Sequence, residues 1–245
     1  MKAYIQTDKE GEFYNVNAFT AYEGFKNFGY EIQKFIDANE ILDKNPEHII
    51  VGGIGNVRKH LQNLNIIRPE KEIDYPEELQ PFLKRKVWSS SIKNIFKDKN
   101  NWDIFIKPKN ETKLFAGKVI RSEMDFLGLL NEEKDTEIWC SELIDFTTEW
   151  RCFIRYKEIL DIRRYKGKWD NKIDIEEVQK AIDSFVSQPN SYALDFGINE
   201  KNEMILVEVN DGHSLGTYGL SSSHYAKFLS ARWSQLTHTN DYLNF

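Results

Sequence analysis

The chain has 245 residues, of which 40% are apolar and 29% charged, and a formal net charge of -6. That composition excludes a chain dominated by disorder, and the length suits one large domain or two small ones around a cleft. The acidic balance argues against strong non-specific attachment to nucleic acid or to an anionic membrane, which leaves small ligands as the expected partners.

The N-terminal stretch, Met-Lys-Ala-Tyr-Ile-Gln-Thr-Asp, reaches a charge too early to hold the apolar core of a signal peptide. No later run approaches membrane-spanning length, so the expected location is the cytoplasm. Strand-like segments at 3–6, 31–35 and 48–51 alternate with a helical pattern over 18–28, which predicts a small α/β unit. Gly52, Gly53 and Gly55 then precede an amphipathic stretch ending near Leu64. A phosphate-binding turn is one reading; because the spacing matches neither the dinucleotide nor the P-loop pattern, a flexible strand-to-helix turn is the other.

Pro69, Pro76 and Pro81, set among acidic residues, read as a linker. The boundary is therefore expected near residue 75, dividing a unit over 1–75 from a larger one over 76–245. Beyond it the pattern predicts a helix over 88–97, a strand over 103–107, a polar loop to Gly117 and a helix over 123–130. Strands follow around Ile138, Trp150, Ile159 and Tyr192, with a helix over 174–186 between the last two, and a final strand covers 203–210. A Gly- and Ser-rich loop and an amphipathic helix through Leu229 complete the pattern. Cys140 and Cys152 each lie in an apolar, strand-like stretch and are expected as reduced, buried thiols, not a disulfide or a metal site.

The last two strands carry the strongest local signal. Leu194, Phe196 and Ile198 alternate on one, and Ile205, Val207 and Val209 on the other. An even-length turn through Asn199 to Asn202 pairs Phe196 with Ile205 and Leu194 with Val207, so both apolar sets share a face. The opposite face gathers Asp195, Glu208 and Asn210, an oxygen-rich set without Lys or Arg that suits a hard cation such as Mg2+. A plain solvated hairpin face is the alternative. The next residues, Asp211-Gly212-His213-Ser214-Leu215-Gly216, are too polar and Gly-rich for a simple strand exit, and suit contact with a phosphate or carboxylate.

Cations gather elsewhere. Lys107 closes the strand over 103–107 ahead of Pro108, and the loop that follows holds Lys109 and Lys113; a solvated strand end is the alternative reading. In the hairpin around residue 157, a turn at Lys157 and Glu158 sets Arg151 opposite Arg164 and Trp150 opposite Tyr165. Two facing guanidinium groups repel unless an anion lies between them, so this pair is a candidate phosphate site, with Arg163 replacing Arg164 if the register slips by one. A solvated or salt-bridged face is again the alternative.

Taken in order, Phe105-Ile106-Lys107-Pro108, Ser141-Glu142-Leu143-Ile144, Glu149-Trp150-Arg151, Arg163-Arg164-Tyr165, Leu194-Asp195-Phe196-Gly197 and Val207-Glu208-Val209-Asn210 resemble the ATP-grasp superfamily. The resemblance runs from about Arg85 to the C-terminus and is to the compact, often phage-associated members. It implies an α/β (α+β) ATP-grasp fold behind a small N-terminal α/β pre-ATP-grasp domain. It also implies Lys107, with Lys86 as an earlier partner, on ATP phosphate; Glu142, Leu143 and Ile144 reading adenine; and Glu149 on ribose. Arg151 and Arg164, with Lys113 from the loop, would neutralise the transferred phosphate, and Asp195, Glu208 and Asn210 would hold Mg2+. The loop carries only Gly117 where many members have several glycines.

The implied activity is an ATP-dependent carboxylate–amine ligase, in which a carboxylate takes the γ-phosphate and the acylphosphate is captured by an amine. An amino acid, peptide or protein terminus is the expected substrate. A kinase on the same scaffold and a noncatalytic nucleotide-binding module are the competing readings. Leu194-Asp195-Phe196-Gly197 lacks the His-Arg-Asp loop that a protein kinase requires.

Overall fold

The computed structural model describes residues 1–66, 73–109, 114–131 and 133–245. It begins with β1 (Lys2–Gln6), α1 (Val16–Asn27), β2 (Glu31–Phe35), β3 (Ile49–Val51) and α2 (Ile54–Asn63). The three strands form a parallel sheet in the order β2-β1-β3. The Asn15 side chain caps α1 by accepting the Ala18 N–H. The helix buries Ala18, Ala21, Gly24 and Phe25, a face made mostly of small side chains. These elements match the pattern read from the sequence.

The middle of the chain runs through α3 (Gln80–Leu83), β4 (Val87–Ser91), α4 (Ile92–Lys97), β5 (Ile104–Pro108), β6 (Lys118–Ile120) and β7 (Glu137–Glu142), and its strands form an antiparallel sheet in the order β4-β7-β5-β6. Two expectations are corrected here. The helix expected over 88–97 is split, because Val87–Ser91 pairs along β7 and the Ser91 side chain then caps α4 at Asn94. The helix expected over 123–130 is a single 3-10 turn, Glu123–Phe126, opened by a Ser122/Asp125 capping box and followed by Gly128 at φ +77°. Directly after the expected polar loop the chain also forms a short strand, β6.

The rest comprises β8 (Phe146–Arg155), β9 (Glu158–Gly167), α5 (Ile175–Ser184), β10 (Ser191–Asn199), β11 (Met204–Asp211) and α6 (Ser222–Thr237). Its four strands make a second antiparallel sheet, β11-β10-β8-β9. Both faces of this sheet are covered. On one, Trp150, Cys152, Leu194, Phe196, Leu206 and Val209 pack with Val178 and Ile182 of α5. On the other, Phe153 and Ala193 join a cluster that runs through Phe228 and Trp233 of α6 into Tyr4, Ile5 and Phe25 of the N-terminal unit. Burial from both sides explains why β10 is buried along nearly its whole length.

Both hairpin registers differ from the sequence expectation. In β10–β11, Phe196 faces Leu206 and Asp195 faces Glu208, with a bulge between. The apolar set on β11 is therefore Met204, Leu206 and Val209, not Ile205, Val207 and Val209. In β8–β9 the turn residues are Tyr156 and Lys157, both at positive φ, rather than Lys157 and Glu158. With a further bulge between Phe153 and Ile154, Arg151 faces Arg163 and Trp150 faces Arg164.

The stretch read as a linker is also more than a connector. Asp74 accepts the Val209 N–H along the edge of β11, at 3.0 Å. No helix among the described residues is long and apolar enough to cross a membrane.

Candidate active site between the antiparallel sheets

The bulge in β11 sets Glu208 directly across from Asp195. Asn210 completes the group, its Nδ2 donating to Asp195 Oδ2 and Glu208 Oε1, each at 3.2 Å. Each carboxylate also carries a cation. Arg151, one strand over on β8, forms a two-pronged pair with Asp195, Nε to Oδ1 at 2.8 Å and Nη2 to Oδ2 at 2.6 Å. Lys107 reaches across from β5 in the other sheet to Glu208 Oε2 at 2.6 Å.

Burial and charge act oppositely on these groups. Asp195 is 2% exposed, and burial pushes its carboxyl up to about 6 against the pull of Arg151. Burial would raise Glu208 too, but Lys107 and the Asn210 amide outweigh it and hold that carboxyl below its usual range. Burial alone would lower the Lys107 ammonium; Glu208, Tyr75 and Asp74 together raise it instead. Asp74 Oδ2 lies 3.3 Å from Lys107 Nζ, and the Tyr75 ring centre 4.7 Å from it.

The other expected site residues divide. Glu149, 9% exposed, accepts from the Tyr165 hydroxyl at 2.9 Å and from Lys166. Glu142, Leu143 and Ile144 lie at the passage from β7 to β8, which joins the two sheets. The Glu142 carboxylate accepts the backbone N–H of Lys86 at 2.8 Å, while the Lys86 ammonium sits over the Trp88 ring, 5.0 Å from its centre.

Arg164 is a correction. The shifted register pairs it with Trp150, on the face opposite Arg151, where it is exposed and donates to the Gly167 carbonyl. Arg163 takes the place across from Arg151, and its guanidinium is held by Asp161 at 2.5 Å. The neighbour that covers Arg151 is Tyr218, whose ring centre lies 4.6 Å from the guanidinium carbon and stacks on Tyr165 at 4.9 Å. Lys113 lies outside the described residues.

The loop after β11 is pinned on both sides. Asp211 takes both prongs of Arg232 from α6 at 2.6 Å. Ser214 Oγ donates to the Gly52 carbonyl at 2.6 Å, and the Thr217 N–H and hydroxyl both donate to Asn17 Oδ1. Ser214 and Tyr218 sit at φ 54° and 45°, a conformation non-glycine residues adopt only where the surroundings impose it. Between this loop and the N-terminal unit is a cavity of about 250 Å3, walled by Tyr14, Asn17, Gly52, Gly53, Ser214 and Gly216 among others. The glycine turn is thus a cavity wall, with the Gly53 N–H taken by Gln6 Oε1 at 2.6 Å. Arg151 borders it: a methyl group added at Gly216 would lie 4.0 Å from Nη1.

Asp74, Tyr75 and Tyr218 also join this site, although no motif in the sequence marks them. Nothing marks Asp74 and Tyr75 locally, because the prolines around them give only a linker signal. Tyr165 stood inside the Arg-Arg-Tyr motif without being singled out.

Two antiparallel sheets face each other across a charged cleft, with a parallel N-terminal unit packed alongside, an architecture that fits the ATP-grasp class. Residues 82–228 match the family model described as ATP-grasp domain, R2K clade family 2; the chain belongs to that family. This bears out the ATP-grasp resemblance read from the sequence.

Solved structures agree on the fold. The D-alanine–D-alanine ligase of Bacillus anthracis, complexed with ATP, superposes with a TM-score of 0.60 at 14% identity, over 97% of this chain and 98% of that one. The N5-carboxyaminoimidazole synthetase of Staphylococcus aureus, complexed with ADP, gives 0.60 at 12% identity, over 98% and 78%. The macrocyclase MdnC of Microcystis aeruginosa MRC, bound with its precursor peptide MdnA, gives 0.54 at 12%, over 94% and 99%. No curated protein matches the chain in sequence.

Proposed function

We propose that the protein is an ADP-forming, ATP-dependent carboxylate–amine ligase acting on an amino acid, a peptide or a protein terminus. The observation that carries this reading is the crossed arrangement of charge. Asp195, Glu208 and Asn210 converge from one sheet, while Lys107 from the other sheet and Arg151 beside them supply the cations. Among the described residues no group of three or more His, Cys, Asp or Glu side chains is arranged to hold a metal ion. The donor chemistry still fits Mg2+, which binds through one or two carboxylates and completes its shell with phosphate oxygens and water.

When bound, Mg-ATP supplies the transferable phosphoryl group. The chain's own contribution is positioning and charge neutralisation. With nucleotide bound, Lys107 and Arg151 would pair with phosphate oxygens in place of Glu208 and Asp195, and those carboxylates would then be the ones to hold the metal. Glu149, with Tyr165, is suited to a ribose, and the passage through Leu143 and Ile144 to an adenine edge. The cavity beside Gly216 borders Arg151 and has no charged side chain among its lining residues. It is the proposed seat of the acceptor. The likeness to a macrocyclase crystallised with a precursor peptide supports including peptides among the substrates.

The test is ADP and phosphate release from Mg-ATP with pooled amino acids and peptides, with hydroxylamine added to trap an acylphosphate. Hydroxamate formed in step with ADP supports the ligase. A phosphoester product, or ATP bound without turnover across the pool, contradicts it.

A further inference from the structure

Strand β11 carries one more residue than β10 requires. Ile198, Gly197 and Phe196 face Met204, Ile205 and Leu206 in unbroken register, yet the next residue, Asp195, faces Glu208. Val207 is the extra residue. Had the register continued, Asp195 would face Val207 and Glu208 would face Leu194, whose side chain lies in the core. The bulge therefore puts Glu208 on the same face as Asp195.

A bulge leaves backbone groups outside the ladder, and here β11 is the edge of its sheet. One side chain takes them up. Arg85 donates from Nη1 to the Leu206 carbonyl at 2.6 Å and from Nη2 to the Val207 carbonyl at 2.8 Å. It also donates from Nη1 to the Leu83 carbonyl at 3.2 Å. A planar fork bridging two successive carbonyls is geometry that a single ammonium group does not reproduce. The next residue, Lys86, is fixed to the other sheet: its N–H donates to the Glu142 carboxylate, and its carbonyl accepts the Glu142 N–H at 3.1 Å. Consecutive residues thus tie β11 to the end of β7, one sheet to the other.

We propose that Arg85 is a positioning residue, which fixes the Val207 bulge and so holds Glu208 opposite Asp195 for metal binding. The metal part rests on the reading of Asp195, Glu208 and Asn210 given above. Arg85 itself touches neither metal nor nucleotide in this account; it acts through the backbone that carries Glu208.

The test compares wild type with Arg85→Gln and Arg85→Lys by two measurements: calorimetric ATP binding as Mn2+ is raised, and amide hydrogen exchange over residues 205–210. The metal requirement should rise by about 10- to 100-fold in R85Q, the range typical of residues that orient a metal ligand, and by less in R85K. ATP affinity without metal should stay unchanged, and exchange should quicken over 205–210 while the rest of the chain keeps its protection. R85K retains a charge and one carbonyl bond, so it decides the matter if R85Q does not fold. An unchanged metal requirement, or protection lost evenly over the whole chain, overturns the proposal. If wild type binds ATP without any metal dependence, the functional reading fails, and exchange over 205–210 still decides whether Arg85 fixes the bulge.

Discussion

Replacing Asp195 with Asn removes the charge from one end of the most deeply buried ion pair at the site. Arg151 is 6% exposed and Asp195 2%, so the guanidinium left behind keeps almost no water to replace its lost partner. Burial raises the Asp195 carboxyl, but the two-pronged pair with the Arg151 guanidinium favours its charged form. The substitution therefore removes a real charge. Stranding one member of a buried pair costs about 3–5 kcal/mol, whereas replacing both with apolar groups is far less damaging. Asn can still accept one hydrogen bond, which places the expected loss at the lower end, about 3 kcal/mol. Urea denaturation of wild type, D195N, R151M and the double variant closes the cycle. The double variant should lose less than the two single losses added together, by about 2–3 kcal/mol. A D195N protein as stable as wild type, or a cycle that adds without interaction, would show that Asp195 and Arg151 do not depend on each other.

Two further effects follow from packing. Gly24 sits where α1 crosses α6, and an added methyl would come 2.1 Å from the Ser222 carbonyl oxygen, so Gly24→Ala should destabilise by about 1–3 kcal/mol. Gly55, at the start of α2, has open space at that position, and the same change there should stabilise by up to about 1 kcal/mol; thermal melts of both variants check the opposite signs. His60 is buried against Trp233 with its Nδ1 unbonded among the described residues, and burial, aided by Lys44, lowers its pKa. A group with a lowered folded pKa keeps its contribution above the unfolded value of about 6.5 and loses it as the pH falls below that. Wild type should therefore lose more stability than His60→Phe between pH 7.5 and 5.5 in urea titrations, and equal slopes would contradict this.

The parts of the fold that were legible in the sequence are those in which local pattern and final environment agree. Alternation around Leu194, Phe196 and Ile198 named β10 because a core lies under it, and the helical pattern over 18–28 named α1 because its apolar face packs into the core. The segment 88–97 misled because Trp88, Ile92, Ile95 and Phe96 recur at helical spacing, although pairing with β7 draws the first half into a strand. Register was hidden for a different reason. The bulge at Val207 is stabilised by Arg85 from far along the chain, and the turn at Tyr156 and Lys157 depends on positive φ at two residues that give no glycine signal. Asp195, Glu208 and Asn210 could be grouped because they are three residues of one hairpin. Arg163, Asp74 and Tyr75 could not be placed, since a one-residue slip exchanges faces and a proline-rich stretch looks like a tether until the sheets it threads between are known.

The most direct test is calorimetric titration of ATP into wild type and Glu208→Gln, each with and without Mg2+. Mg2+ should tighten ATP binding to wild type, and this gain should be largely lost in the variant, with binding in the absence of metal retained through Lys107 and Arg151. Equal tightening by Mg2+ in both proteins would contradict the placement of the metal, and with it the central claim that this cleft is where the nucleotide reacts.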